Sequence, residues 1–220
     1  MSMKVELEAF SDKLLGMAGD DAGKLFAGQI DQARAFNVPE LGLGVGAMAA
    51  DFSLPSATGD IVELRQLLKD GPVVLTFYRG GWCPYCNIQL RAYQGILKDL
   101  AKLDARLVAI SPETPDNSLD TQQREQLEFH VLSDSGNEVA RQYGLVYPVS
   151  DDVNSLFKGW DIDLEKHNGV AGGVAGREIP APATYIINET GSIIFGQPDV
   201  DYRTRVEPQD ILEALRSRSS

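Results

Sequence analysis

Residues 72–90 read PVVLTFYRGGWCPYCNIQL, and they contain the pattern that decides the fold. A continuous apolar run at 73–78 is typical of a buried strand, and a helical pattern follows it. Pro84 suits the first position of a helix, which puts Cys83 at the N-cap and Cys86 about one turn in. Unpaired backbone N–H groups and the positive end of the helix dipole favour a thiolate at the cap. The stretch therefore predicts a strand-to-helix junction in which Cys83 is the more acidic thiol.

Cys83 and Cys86 are both of the chain's cysteines. Residues three apart at a helix start have Cβ atoms roughly 5 to 6 Å apart, so a modest adjustment permits a disulfide. A zinc site needs two more ligands, and His130 and His167 lack the usual close pairing. Covalent haem attachment requires His where the chain has Asn87. The spacing favours a redox pair over an inert buried pair, and we expect neither a metal nor a cofactor.

Three neighbours of the cysteines are candidate supporting residues. Trp82 and Tyr85 are placed to shield the two sulfurs from bulk water. Arg79 lies close enough in sequence to add a positive field, and a nearby positive charge favours the thiolate.

Strands and helices alternate beyond this junction. A helical face over 87–103 is followed by a strand at 106–111, and strand, helix, strand in this order predicts a parallel, right-handed crossover. Further elements are predicted at 116–127 (helix), 129–132 (strand), 137–143 (helix), 183–188 and 192–195 (a hairpin) and 208–216 (helix). This order predicts an α/β fold with a mixed central sheet and helices on both faces, a three-layer sandwich.

The start of the chain is predicted to be a helical extension. Apolar residues recur there at helical spacing: Leu7, Phe10, Leu14 and Met17, then Leu25, Phe26 and Ile30. Pro39 and the glycines that follow interrupt the pattern, so we divide the chain into an extension at 1–44 and a main domain at 45–220. Helices packed on the flank of the domain are favoured over a dimerisation arm, and a homodimer remains open.

The composition restricts the classes of function. The chain has 220 residues, of which 43% are hydrophobic, enough for a substantial core. A formal net charge of -12 disfavours nucleic acid and anionic membrane surfaces as partners. No stretch approaches the roughly 20 apolar residues of a membrane span, and the first residues do not resemble a secretory signal. We therefore expect a cytoplasmic protein in a reducing compartment, where a CxxC pair is more often catalytic than structural.

The sequence resembles the thioredoxin-fold suprafamily, and within it the peroxiredoxin-like branch, the alkyl hydroperoxide reductase and thiol-specific antioxidant group. The resemblance spans about residues 45–215. It rests on an ordered set of segments: VGAMAADFSLPSATGDIVEL (45–64), FYRGGWCPYCNIQL (77–90), VAISPETP (108–115), LSDSGNEVARQYGL (132–145) and ATYIINETGSI (183–193). This resemblance implies a thioredoxin-like fold and a thiol-dependent antioxidant oxidoreductase.

The site departs from the peroxiredoxin pattern at three positions. That pattern has Pro, then Thr or Ser, then the peroxidatic Cys, with an Arg from a distant strand. Here the Pro falls at Arg79, the Thr at Cys83 and the peroxidatic Cys at Cys86. The distant Arg falls at or near Pro182. The cysteine alone matches.

The departures resemble thioredoxin instead. Tryptophan followed by CxxC is similar to the thioredoxin active site, and PAPATYIIN at 180–188 is similar to the segment whose cis-proline faces the dithiol. A cis bond before Pro182 would expose a backbone edge to an extended substrate. Thioredoxin-type enzymes often keep a buried acid beneath the site, where this chain has Thr76.

Two mechanisms follow from the resemblance. In the thioredoxin-like one, Cys83 attacks a substrate disulfide and Cys86 resolves the mixed disulfide. In the peroxidase one, Cys86 attacks a hydroperoxide and Cys83 condenses with the sulfenic acid. Either way an external thiol system, thioredoxin or glutathione, must reduce the product. The alternatives to a peroxidase are a disulfide reductase and a non-catalytic redox sensor.

The histidines and two arginines outside the CxxC motif are interpreted as structural or solvent-exposed residues. His130 and His167 are interpreted as structural or solvated rather than as acid–base groups. Arg203 and Arg205 could replace the missing peroxiredoxin Arg, but a solvated surface turn is favoured for both. The glycine-rich stretch at 170–176 is predicted to be a mobile loop, and the long segment that contains it, 148–177, is predicted to cover the dithiol.

Overall fold

The computed structural model describes residues 2–36, 41–170 and 172–218. In these residues the strands are β1 Ser53–Pro55, β2 Ile61–Glu63, β3 Val73–Phe77, β4 Arg106–Ser111, β5 His130–Ser133, β6 Val146–Pro148, β7 Glu178–Pro180, β8 Ala183–Ile187 and β9 Ile193–Pro198. The helices are α1 Met3–Phe36, α2 Leu64–Leu67, α3 Pro84–Gln94, α4 Leu97–Ala101, α5 Pro115–Arg124, α6 Glu138–Gln142, α7 Asp151–Gly159, α8 Leu164–Asn168 and α9 Pro208–Ser217.

The central sheet has the strand order β5-β4-β3-β8-β9. The β3–β4 and β4–β5 pairs are parallel, whereas the β3–β8 and β8–β9 pairs are antiparallel. Every residue of β3 is buried, and because successive side chains point to opposite faces, both faces of the sheet must be covered. The predicted three-layer α/β sandwich with a mixed sheet is confirmed.

Two predicted segments contain more separate helices than the sequence indicated. The helix begins at Pro84, as predicted, but the helical pattern over 87–103 is split into α3 and α4. The described residues of the long segment at 148–177 include α7 and α8, and the mobility of its glycine-rich part at 170–176 stays a prediction. Helix α7 begins with a local signal, since the Ser150 hydroxyl accepts a hydrogen bond from the Val153 amide.

The N-terminal extension is helical, as predicted, but it does not follow one continuous face. Helix α1 contains Gly19 with φ 81° and ψ 168°, a non-helical conformation that kinks it. Leu7 and Phe26 are buried, whereas Met17, in the last turn before the kink, is 77% exposed. Met17 therefore continues the predicted helical spacing but lies outside the buried face of the helix.

Helix α1 packs against elements that lie next to the CxxC segment. It contacts α3, α7 and β6. Gln29 links the second half of α1 to the segment between β6 and α7. Its side-chain amide nitrogen donates to the Pro148 carbonyl at 3.2 Å, and its side-chain oxygen accepts from the Ser150 amide at 2.7 Å. The division of the chain at residue 44 stays a prediction, and Pro39 lies outside the described residues.

None of the helices in the described ranges combines the length and the apolar character that crossing a membrane requires.

Candidate active site

The junction between β3 and α3 forms as the sequence predicts. Cys83 is the N-cap of α3, with an extended backbone (φ -93°, ψ 109°), and Pro84 occupies the first helical position. The Cys83 carbonyl accepts hydrogen bonds from the amides of Cys86 (3.0 Å) and Asn87 (3.1 Å). The first turn of the helix therefore brings the two cysteines together, and both are free thiols.

The loop that leads into Cys83 is held by side chains from distant elements. The Gly81 amide donates to the Glu113 carboxylate at 2.7 Å, and the Gly81 carbonyl accepts from Arg124 and Asn87 at 2.9 Å each. A Cβ on Gly81 would collide with the Thr121 hydroxyl, so this position requires glycine. These contacts fix the backbone that leads into Cys83.

Cys83 lies beside a buried guanidinium group. The Arg79 Nη1 atom is 3.7 Å from the Cys83 sulfur, and the two residues are 5% and 1% exposed. The Arg79 guanidinium lies over the rings of Trp82, 4.9 Å from its centroid, and Tyr202, 4.3 Å from its centroid. Two aromatic faces thus hold the positive charge against the sulfur.

The two thiols ionise very differently. Burial opposes ionisation of Cys83, but hydrogen bonding from Cys86 and the positive charges of Arg79 and Arg205 outweigh it and lower the pKa of Cys83 to about 5. Burial, together with the neighbouring Cys83, raises the pKa of Cys86 well above its ordinary value. Two close sulfurs that share one proton have opposite pKa shifts, because the charge on one sulfur stabilises the proton on the other. Cys83 is therefore the thiolate near neutral pH.

Cys86 has its own arginine, which the sequence analysis assigned to the surface. The Arg205 Nη2 atom is 3.5 Å from the Cys86 sulfur. The interpretation of a solvated turn is therefore wrong for Arg205. It agrees with the structure for Arg203, whose side chain pairs with Asp201 at 2.7 Å and is 45% exposed.

A buried polar cluster lies where many thioredoxin-type proteins have an acid. The Thr76 hydroxyl is within hydrogen-bond distance of the Thr184 hydroxyl (3.1 Å) and accepts from the Gln89 amide (3.2 Å). Gln89 also donates to the Tyr93 hydroxyl at 3.1 Å. Gln89 and Tyr93 are almost completely buried, so this cluster supplies neutral hydrogen bonds and no carboxylate under the site.

Rings from distant elements pack over the side chains of the motif. We call Phe10, Phe26, Phe157 and Tyr202 the aromatic cover. Tyr85, which is 3% exposed, contacts Phe10 and Tyr202 at centroid distances of 5.1 and 5.2 Å. Phe157 lies 5.2 Å from Trp82, and Phe26 lies 6.2 Å from both Phe157 and Tyr202. Two helices, α1 and α7, thus contribute to the surroundings of the dithiol.

Pro182 lies directly before β8. The register of β3 with β8 pairs Phe77 with Ala183, so Pro182 is next in line opposite Tyr78. It is buried, and its carbonyl accepts from the Asp199 amide at 3.0 Å. The role of Pro182 toward a substrate, and the cis geometry suggested for it, stay predictions.

The histidines lie away from the sulfurs in the contacts seen here. His130 begins β5 and is exposed. His167 Nδ1 is 3.3 Å from a Glu113 oxygen, beneath the loop that Glu113 holds. Among the residues that the structure describes, no group of three or more His, Cys, Asp or Glu side chains is arranged to hold a metal.

Fold and site together define a thioredoxin-like protein with a buried CxxC dithiol at the start of a helix. The AhpC/TSA family matches residues 45–195, which include this dithiol and the central sheet. The chain belongs to that family.

Individual relatives agree with this assignment. A putative peroxiredoxin of Mycobacterium tuberculosis is 34% identical over 100 residues, which cover 46% of this chain and 65% of the relative. Peroxiredoxin Bcp of Escherichia coli is 29% identical over 103 residues, covering 47% of this chain and 65% of that protein. The matched stretch thus spans slightly less than two thirds of these relatives.

Solved structures match the fold over more of the chain. Peroxidoxin BcpB from Mycobacterium tuberculosis has a TM-score of 0.62 at 24% identity, covering 81% of this chain and 99% of that one. Peroxiredoxin Q of Xanthomonas campestris has a TM-score of 0.60 at 15% identity, covering 81% of this chain and 98% of that one. At these identities the likeness concerns the fold.

Proposed function

We propose that the protein is a cytoplasmic thiol-dependent antioxidant oxidoreductase that reduces hydroperoxides through a reversible Cys83–Cys86 disulfide. The observation that carries the proposal is the pair itself, an acidic Cys83 thiol beside Arg79 with a second thiol one turn further along the helix. Family membership and the peroxiredoxin names of the relatives support peroxide as the oxidant.

The first step uses the thiolate of Cys83. Its sulfur attacks the terminal oxygen of the hydroperoxide, an S–O bond forms, the O–O bond breaks, and the departing alkoxide or hydroxide takes up a proton. Cys83 becomes a sulfenic acid and the substrate leaves as an alcohol or water. We assign this step to Cys83, although the family pattern puts its peroxidatic cysteine at Cys86, because Cys83 is the sulfur that ionises near neutral pH.

The second step closes the disulfide. The Cys86 sulfur attacks the Cys83 sulfur, an S–S bond forms, and the sulfenic oxygen leaves as water. Two thiols of an external reductant, a thioredoxin or glutathione system, then reduce the disulfide by thiol exchange and are themselves oxidised. No bound cofactor enters either step.

A protein disulfide is the second candidate oxidant. The favourable observation is that Trp82-CxxC places the acidic thiol at the helix cap, as an exchange enzyme requires. The unfavourable one is burial, because Cys83 is 1% and Cys86 0% exposed, and a peptide disulfide must reach the sulfur in line. A small hydroperoxide meets a much smaller steric barrier.

The test compares reduced wild type with Cys83→Ser and Cys86→Ser. Each is mixed with hydrogen peroxide and, separately, with a disulfide substrate, and adducts are followed by mass. We expect Cys86→Ser to accumulate a sulfenic acid on Cys83 and Cys83→Ser to react slowly. Fast sulfenic acid on Cys86 in Cys83→Ser would reverse our assignment of the two steps.

Two other outcomes contradict the peroxidase itself. A mixed disulfide on Cys83 in Cys86→Ser, without reaction with peroxide, would identify a disulfide reductase. Slow cycling of the wild type with excess reductant would identify a redox sensor that depends on a partner.

A further inference from the structure

The structure gives each sulfur of the dithiol a separate arginine from a separate part of the chain. Arg79 comes from the loop that follows β3 and contacts Cys83 at 3.7 Å. Arg205 comes from the loop before α9 and contacts Cys86 at 3.5 Å. A single positive group near the first nucleophile would suffice for one thiolate. The second arginine therefore requires its own explanation.

We infer that Arg205 acts in the second chemical step, by favouring the thiolate of Cys86 once Cys83 has been oxidised, and that Gln89 is the residue that positions Arg205 for it. This inference rests on the proposed function. Arg205 touches a reacting atom and is a catalytic residue in this sense, whereas Gln89 acts through Arg205.

Electrostatics separate the two steps. While Cys83 is a thiolate, its negative charge opposes ionisation of Cys86. Once Cys83 is a neutral sulfenic acid, that opposition disappears and Arg205 remains 3.5 Å from the Cys86 sulfur. Cys86 can then ionise, its sulfur attacks the Cys83 sulfur, the S–O bond breaks, and hydroxide departs and is protonated to water.

The other titratable groups that face Cys86 do not supply this charge. Tyr78 and Tyr147 are buried phenols, and burial raises the pKa of each, so both stay neutral at pH 7. Arg79 also lowers the pKa of Cys86, but less than Arg205 does, and its direct contact is with Cys83.

Gln89 holds the guanidinium of Arg205 from inside the protein. Its side-chain oxygen accepts from Arg205 Nε at 2.7 Å, while its nitrogen donates to Thr76 (3.2 Å) and Tyr93 (3.1 Å). Because Gln89 is 1% exposed and bonded at both ends, its amide orientation is set by the core. Arg205 also donates to the backbone carbonyls of Tyr202 and Thr204, which fixes the remaining side of the group.

The test is a single-turnover reaction with hydrogen peroxide at pH 7 that follows peroxide loss and disulfide formation separately. We expect Arg205→Met to slow disulfide formation about tenfold or more, because an adjacent opposite charge shifts a pKa by roughly one unit or more. Peroxide loss should change little, because Cys83, with a pKa of about 5, remains ionised at this pH. A sulfenic acid should accumulate and be trapped by dimedone.

Arg203→Met is the matched control. It removes the same charge from the same loop, but Arg203 pairs with Asp201 and makes no contact with either sulfur among its hydrogen bonds. We expect wild-type rates for both steps. Equal slowing of disulfide formation in Arg203→Met and Arg205→Met would overturn the inference, because the effect would then belong to the net charge of the loop.

Two substitutions test Gln89. Gln89→Leu removes the acceptor for Arg205 and should slow disulfide formation several-fold without slowing peroxide loss. Gln89→Glu keeps an acceptor oxygen but adds a negative charge beside Arg205, which opposes ionisation of Cys86, so it should slow disulfide formation at least as much. If the two variants slow both steps alike, Gln89 has a structural role only.

A second readout is independent of peroxidase activity. In the Cys83→Ser background, the rate of Cys86 alkylation is measured against pH, with and without Arg205→Met. We expect loss of Arg205 to move the alkylation profile to higher pH by about one unit or more. If the alkylation profile does not move, the inference about Arg205 is wrong even where the wild type reduces peroxide. If the wild type does not react with peroxide, the proposed function is wrong, but the alkylation profile still tests the role of Arg205.

Discussion

The motif segment, residues 79–86, and the aromatic cover surround the same dithiol but arise in different ways. The motif segment supplies Arg79 and both cysteines from consecutive residues at one junction. The aromatic cover assembles Phe10 and Phe26 of α1 with Phe157 of α7 and Tyr202 of a late loop. The acidity of Cys83 thus depends mainly on local structure, whereas its burial depends on tertiary packing.

The largest expected effect comes from removing the charge of the motif segment. Arg79→Met takes away a guanidinium 3.7 Å from the Cys83 sulfur. The pKa of Cys83 should rise from about 5 by roughly one to three units, which lowers the thiolate fraction at pH 5 by up to about 500-fold. The pH dependence of Cys83 alkylation in the Cys86→Ser background measures this directly.

Arg65→Met serves as the control for that variant. Arg65 is exposed and pairs with Asp51 in the described contacts, so its removal should leave the alkylation profile unchanged. If Arg79→Met also leaves the profile in place, the acidity of Cys83 comes from the helix start rather than from the motif arginine.

The motif segment was also the part that the sequence predicted best. Pro84 and the CxxC spacing indicate the junction because the residues that interact there are neighbours in the chain. The fold could be predicted for a similar reason, because the apolar pattern of β3, the helix after it and the next strand together indicate a parallel crossover.

Stability should depend on pH through the same residue. The folded pKa of Cys83 is about 5, below its ordinary value of 9.0, so the native state binds fewer protons than the unfolded state between these values. The contribution of Cys83 to stability is therefore fully present above about pH 9 and is lost as the pH falls through 5. Its slope cannot exceed about 1.4 kcal/mol per pH unit.

Urea unfolding of the reduced protein across this pH range tests the linkage. Cys83→Ser should remove the slope, and the difference between the two proteins isolates Cys83 from the carboxylates that titrate at lower pH. Parallel curves for the two proteins would mean that Cys83 has the same pKa folded and unfolded.

The aromatic cover should contribute mainly to stability. Phe26 is 7% exposed and lies 5.8 Å from Trp160 and 6.2 Å from Phe157. Phe26→Ala should cost about 3 kcal/mol, the lower end for a buried phenylalanine, because one side of the cavity is a single helix that can relax. Urea unfolding measures the loss, and Trp160 fluorescence reports whether α1 has separated.

Leu15→Ala on the same helix is the matched control. Leu15 is 41% exposed, so its truncation should cost well under 1 kcal/mol. Equal effects of Leu15→Ala and Phe26→Ala would show that α1 contributes helical content but no packing to the cover.

Unlike the motif segment, the aromatic cover and the neighbouring Arg205 could not be predicted from short stretches of sequence. Arg203 and Arg205 stand in one polar turn, and nothing in the local pattern distinguishes the one that pairs with Asp201 from the one that reaches Cys86. The difference arises from Gln89, which lies 116 positions away in the chain and accepts from Arg205. Contacts of this kind require the whole fold, so a pattern read in short windows cannot assign them.

The smallest effect concerns the kink that lets α1 join the aromatic cover. Gly19 has φ 81° and ψ 168°, a region that is essentially limited to glycine, and a Cβ there would meet no atom within 4 Å. Gly19→Ala should therefore cost about 1 to 2 kcal/mol through backbone strain alone. Gly28→Ala, at an exposed helical position of the same helix with equally open space, should stabilise by up to about 1 kcal/mol. Urea unfolding gives the change in the free energy of unfolding for each variant. Opposite signs would confirm that the kink is required in the native state. A gain in both would mean that α1 is straight at Gly19 and that Phe10 and Phe26 are brought to the dithiol without the kink.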